Sequence, residues 1–297
     1  MSVGTESPVP VNAPSGPPGA PVAAPPPESV LVIALKRTGK ALVSGLVFAI
    51  LGLIIWQLLV KFSGVKPFIA KSPGDVYKYL FTVPAAATNR AQMSSAFWTT
   101  ARDAALGFAA GTIAALALAN LFVLRKGAQQ ALMPLAMALR TVPLVAMAPL
   151  IALIFGRGLM AVTVIAGIVT FFPTLVNVTL ALRAVPPESL DLMRAYGATD
   201  VTTLRKVQFP SALPALFASM RIAAPLALVG ALLAEWLATG QGLGYLMLTA
   251  VPTAQYARLW ASVVIVTVAS VVLYSIISGV ETLVLERYAP DQTRRVL

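Results

Sequence analysis

The chain has 297 residues, 58% of them hydrophobic and 11% charged, against about 25% charged in soluble domains, and it is read as a membrane protein. It has no cysteine and no histidine, which removes disulfide frameworks, thiol or imidazole zinc sites, Ser-His-Asp triads and cysteine nucleophiles. The formal net charge of +11 is assigned to membrane topology rather than to nucleic acid, because no basic face with interleaved aromatics occurs and cytoplasmic loops are enriched in Lys and Arg.

Residues 1–28 are rich in Pro, Gly, Ala and Ser and cannot bury enough surface to order themselves, so a disordered tail is expected. The tail lacks the pattern of a cleaved signal peptide. A basic segment, 29–40, brings Lys36, Arg37 and Lys40 against the first apolar run. A helix needs about 20 mostly apolar residues to cross a bilayer. Six runs meet or approach this: 41–60, 104–124, 131–155, 160–182, 212–237 and 259–280. They predict an all-α membrane protein with six transmembrane helices over 41–285, followed by a short tail, 286–297.

In the first outer segment, Ser72-Pro73 with Asp75 predicts a short surface helix carrying Val76, Tyr79 and Leu80 on one face. Pro134, Pro143 and Pro149 punctuate the third run, and Arg221 and Pro225 the fifth. Carbonyls freed by proline need neighbouring helices, so these two spans are expected in the interior. Lys36, Arg37, Lys40, Arg125, Lys126 and the basic residues of the fourth loop favour both termini on the cytoplasmic side. Trp56, Trp98 and Trp260 read as interfacial anchors.

The loop between the fourth and fifth runs, 183–211, is the most polar part of the centre of the chain. Pro186-Pro187 and Glu188 predict a helix start, and Gly197 suits a left-handed helix end. Thr199 or Asp200 then caps a second helix through Val207, which Pro210 closes before the next span. Two short helices at an angle make a docking knob at the membrane surface.

These residues carry a resemblance to the inner-membrane permease subunits of ABC importers. In that family the loop reads Glu-Ala-Ala, three residues, Gly, nine residues, an aliphatic residue, one residue and Leu-Pro. Here Asp191-Leu192-Met193, Gly197, Val207 and Phe209-Pro210 keep the spacing. Asp replaces Glu, two larger side chains replace alanines and Phe replaces Leu. Residues 139–163, with Phe155-Gly156-Arg157-Gly158, and 232–247, with Gly242-Leu243-Gly244-Tyr245, are similar to the branch that serves nitrate, alkanesulfonate and taurine importers. The likeness spans about residues 40–285.

The resemblance implies a type I importer permease with a cytoplasmic coupling-helix loop in a bacterial inner membrane. Implied partners are a second permease copy, a cytoplasmic ABC ATPase dimer, an extracytoplasmic solute-binding protein and the lipid bilayer. This chain has no phosphate-binding loop, since Gly39-Lys40 lacks the earlier glycine and the hydroxyl residue. ATP and Mg are therefore expected on the ATPase, with no catalytic, cofactor or metal residue here. Leu192, Met193, Tyr196 and Ala198 would supply apolar docking contact. Asp191, Arg194 and Arg205 would fix register, and Gly197 and Pro210 would shape the loop.

Within the spans, Arg140 lines a pathway for an anion or pairs with a carboxylate or with carbonyls freed by Pro143 and Pro149. Glu235 contacts the binding protein, gates, or sits at the interface beside Trp236. Asn177 is a helix-to-helix hydrogen bond rather than a ligand. The cargo expected is a small anion such as nitrate, a sulfonate or taurine, with a pyrimidine or vitamin precursor as the alternative. An ion-coupled secondary transporter is the rival class. It is disfavoured by the lack of an internal repeat and of clustered membrane carboxylates. An intramembrane enzyme lacks the side chains for chemistry.

Overall fold

The computed structural model describes residues 30–288, with side-chain surroundings from Val47 to Leu285, and all regular structure among them is helical. The N-terminal tail, the side chains of Lys36, Arg37 and Lys40, and residues 289–297 lie outside the described residues. The chain divides between Ile55 and Trp56 into two units, within helix α1 (Val30–Phe62).

Helix α2 (Pro73–Phe81) begins as the sequence predicts. The Ser72 hydroxyl accepts from the Asp75 N–H, and the Asp75 carboxylate accepts from the Ser72 N–H at 3.0 Å, a reciprocal capping box. Val76 is buried and Tyr79 and Leu80 half-buried. Trp56 and Trp260 do more than anchor. Their rings stack at 5.4 Å, and their indole N–H groups donate to the Lys71 and Ile69 carbonyls at 3.1 and 3.0 Å, clamping the approach to α2. Trp98 is exposed.

Helix α3 (Ala86–Leu124) starts well before the expected residue 104. Met93, Ala96, Thr100, Gly107 and Gly111 are all buried; their spacing of three, four or seven keeps one buried face through the polar stretch, so the helix is continuous. Its 39 residues at about 1.5 Å each reach about 58 Å, twice a ~30 Å hydrocarbon layer.

The third expected span is two helices, α4 (Lys126–Thr141) and α5 (Leu144–Phe155), bent by 105°. Pro143 denies Val142 the helical region, and Val142 sits at ψ 125°. The pair is not interior, contrary to expectation: Leu135, Leu139, Val145, Leu150, Leu153 and Ile154 are exposed, and Ala148, Ile151 and Ala152 of α5 reach the core.

Helices α6 (Leu159–Arg183), α7 (Pro187–Ala195) and α8 (Asp200–Thr203) follow. After α8 a π-turn (Leu204–Gln208) runs straight into α9 (Phe209–Ala234), a second π-turn (Glu235–Thr239), α10 (Gly242–Ala250) and α11 (Tyr256–Tyr288). Among the described residues, four helical runs are long and apolar enough to span: Ala86–Leu124, Leu159–Arg183, Asp200–Thr239 and Tyr256–Leu285. The bent pair makes a fifth, and the first expected span falls on α1, whose described apolar part is Val47–Phe62.

The centre is α3, α6 and α9. A Cβ at Gly107 or Gly111 would run into Ala166, or into Thr170 and the Gly167 backbone, so small residues let α3 and α6 approach closely. Arg221 does not interrupt the fifth span, because it pairs with Glu281 of α11 at 2.7 Å, which neutralises its charge inside the bundle.

Candidate functional site

The loop expected to dock is built from self-contained caps. At the end of α7 the Ala198 N–H donates to the Met193 carbonyl at 3.0 Å and the Gly197 N–H to the Arg194 carbonyl at 2.9 Å, with Gly197 at φ +69°. This is a Schellman ending, and it needs the left-handed residue. Thr199 then accepts from the Thr202 N–H at 3.2 Å and caps α8. Pro210 does not close the second helix as the sequence suggested. The wider π-turn carries the bond from the Phe209 N–H to the Leu204 carbonyl and makes room for a ring that an α-turn would crowd, so 200–239 stays one helical run.

The loop has two sides. Val185 and Leu204 are buried, and Leu190, Met193 and Ala198 are half-buried. Leu192, Tyr196 and Val201 are 58%, 82% and 51% exposed. Of the expected contact residues, Leu192 and Tyr196 therefore project while Met193 and Ala198 turn inward. Val201 was not foreseen, although an apolar residue in the first turn of a polar helix marks it. Asp191 and Arg194 pair with each other at 2.9 Å on the surface; Arg205 is exposed.

At the opposite end of α9, Glu235 is completely buried and works as a cap for α10. Its Oε2 accepts from the Gly244 N–H at 2.7 Å. Thr100 of α3 accepts from the Leu243 N–H at 2.9 Å, so two of the orphan donors of α10 are satisfied by distant side chains. The Glu235 Oε1 is buried without a partner among the described residues. Gly242 (φ +85°) lies against this carboxylate, and a Cβ there would overlap it. Arg157 of the Gly-Arg-Gly turn donates from Nε to the Ala238 carbonyl at 2.9 Å, where a cation suits a helix end.

Arg140 is exposed in the last turn of α4, Asn177 is half-buried on α6, and Glu235 lies in the second π-turn. No ion pair among the described residues involves Arg140, and the three groups do not form one cluster. Thr100 and Arg157 were missed as site residues because their partners lie 143 and 81 residues away.

A bundle of long apolar helices with an ordered two-helix knob between two of them is the architecture of a helical membrane protein. Residues 107–289 match the family described as binding-protein-dependent transport system inner membrane component. The chain is 31% identical over 222 residues to a probable ABC transporter permease protein of Haemophilus influenzae, covering 75% of this chain and 88% of that protein. It is 34% identical over 199 residues to the riboflavin transport system permease protein RibX of Chloroflexus aurantiacus, covering 66% and 71%. Relatives at 25 to 29% identity are named for formylaminopyrimidine, aliphatic sulfonates and nitrate. The fold is that of the MetNI methionine ABC transporter chain, with a TM-score of 0.55 at 21% identity, covering 69% of this chain and 99% of that one. The chain belongs to the binding-protein-dependent permease family of ABC transporters.

Proposed function

We propose that this chain is the permease subunit of an ATP-driven importer in a bacterial inner membrane, with both termini cytoplasmic. Two copies surround the pathway, an external binding protein delivers the solute, and an ATPase pair supplies ATP and Mg chemistry. The observation that carries this reading is the outward face of the knob, where Leu192, Tyr196 and Val201 stand exposed on helices whose ends are already capped. Such a face suits an apolar groove on a soluble partner, with Arg205 and the Asp191–Arg194 pair giving register. A continuous run from Asp200 to Thr239 would carry a push on the knob directly into the bundle.

For the cargo, two readings each rest on one observation. An exposed Arg140 without a carboxylate partner among the described residues supports a small anion such as nitrate, a sulfonate or taurine. The 34% identity to the riboflavin permease, above the 25 to 29% to the sulfonate and nitrate permeases, supports a heterocyclic vitamin or pyrimidine precursor. Uptake of labelled nitrate, taurine and a formylaminopyrimidine by vesicles holding the whole complex separates them.

The docking reading is tested with Gly197→Pro, since proline cannot adopt a positive φ. Purification through a tag on this chain should bring down an ATPase whose turnover rises with the binding protein. The substitution should cut recovered ATPase at least about tenfold, the effect of ~1.4 kcal/mol. Wild type that purifies without an ATPase, and transports on an ion gradient, overturns the reading in favour of a secondary transporter.

A further inference from the structure

At the end of the bundle that carries the knob, two clefts share one pair of basic side chains. The first, about 530 Å³, has Lys126 and Gln129 at the α4 start and Arg183 at the α6 end, with Met133, Pro134 and Met137 on the next turns of α4. The second, about 480 Å³, again has Lys126 and Arg183 and opens toward the knob, where Arg194 of α7 and Asp200 of α8 line it. Among the described residues no carboxylate lines the first cleft. Arg183 is held in place, because one of its nitrogens donates to the Phe122 carbonyl at 3.0 Å. That bond occupies one N–H of a guanidinium that has five. Lys126 is exposed and has no ion-pair partner among the described residues.

Leu124 and Arg183 are the ends of two spanning runs, and the Phe122–Arg183 bond brings those ends together. The cleft therefore lies where hydrocarbon gives way to headgroups. Its polar turn faces that boundary with two cations, and its apolar turns continue along α4 into the span. A free phosphate would satisfy the cations and leave Met133, Pro134 and Met137 in water. An amphiphile with an anionic phosphate head satisfies both ends, and basic pockets between helices at a membrane surface suit such heads.

We infer that this cleft binds an anionic phospholipid, its phosphate between Lys126 and Arg183 and an acyl chain along Met133, Pro134 and Met137. The bound lipid sits at the root of the knob, because Arg183 is the last residue of α6. The inference needs only a membrane-spanning bundle with these span ends at one surface, and it stands apart from the ATPase reading.

The test uses the full chain, purified with whatever subunits accompany it, in bilayers of equal phosphatidylglycerol and phosphatidylethanolamine. The complex is re-extracted in mild detergent and its retained lipids are counted by mass spectrometry. Wild type should hold phosphatidylglycerol in excess. Lys126→Gln, at an exposed position, should lower that excess about fivefold, the share of one basic residue near a membrane surface. Arg125→Gln, exposed next to it and outside both clefts, should leave the excess unchanged. Arg183→Lys keeps a cation and should retain most of the excess. An even lipid ratio in wild type, or an excess that survives Lys126→Gln, overturns the inference. So does displacement of the lipid by inorganic phosphate bound equally well without lipid, which marks a free-anion site. Recovered ATPase is scored in the same samples, so a failure of docking is read apart from a failure of lipid preference.

Discussion

Helices α7 and α10 are both nine residues long, lie at opposite ends of the bundle and are held by opposite means. α7 buries no residue and is finished by its own backbone through Gly197, with Thr199 opening the next turn. α10 buries Leu243, Leu246, Met247 and Ala250 and has its first donors satisfied by Thr100 and Glu235 from α3 and the end of α9. A helix that keeps its outer face free for a partner must close its ends locally. A helix inside the bundle draws on side chains that the fold brings to it. Damage to a cap at α10 should therefore destabilise the whole unit, and damage at the knob should stay local.

The largest expected effect is at Gly242. An alanine there meets a positive φ and the Glu235 carboxylate, together costing about 3 kcal/mol, read as a lower midpoint of denaturation in mixed micelles. Adding Glu235→Ala to that variant should cost about 1 kcal/mol less than in wild type, because the two side chains compete for one space. Equal costs in both backgrounds would remove the contact from the account. Next comes Thr100→Val, which keeps the shape and removes the acceptor for the buried Leu243 N–H. A loss of about 2 kcal/mol is expected, and an unchanged midpoint would mean that another group satisfies that donor.

The contrast also decides what the sequence makes visible. The Ser72–Asp75 box, Gly197 and Thr199 are legible because the capping partners lie within five residues. Leu192 and Tyr196 are legible as apolar residues stranded in a polar loop, although the inward turn of Met193 and Ala198 is not, since it depends on the angle that the Schellman ending sets. Thr100, Arg157 and Arg183 carry no local signal at all; each meets a carbonyl or N–H more than 60 residues away. Hydropathy placed the start of α3 at residue 104, since a membrane window ignores a buried face that continues into polar sequence. Pro210 misleads for a related reason, because a change of helical register, invisible in composition, absorbs it.

At the knob, Thr199→Ala removes one side-chain cap and should cost about 1 kcal/mol. The loss should be confined to faster amide exchange over 200–203, with the denaturation midpoint of the complex unmoved. A drop in that midpoint would mean that α8 is bound into the core more firmly than its surface position suggests, and would blur the division between the two ends.

The smallest effect belongs to the other locally capped helix, α2. The Ser72 N–H donates to the Asp75 carboxylate at 3.0 Å and the Ser72 hydroxyl at 2.8 Å. These bonds, with lesser help from Lys71 and Lys78 and against slight burial, hold Asp75 below the ordinary carboxylate value of 3.8. The folded group is thus the stronger acid. Its contribution is complete above the unfolded value and is lost as pH falls through the lower, folded one. The clamp of Trp56 and Trp260 on Lys71 and Ile69 stands beside this cap, so indole fluorescence should report the loss as a small change in strongly acid solution. In Asp75→Asn that change should vanish while the Ser72 cap persists. An acid change that survives the substitution would assign the titration to another carboxylate, and would leave α2 without the local control that sets it and the knob apart from α10.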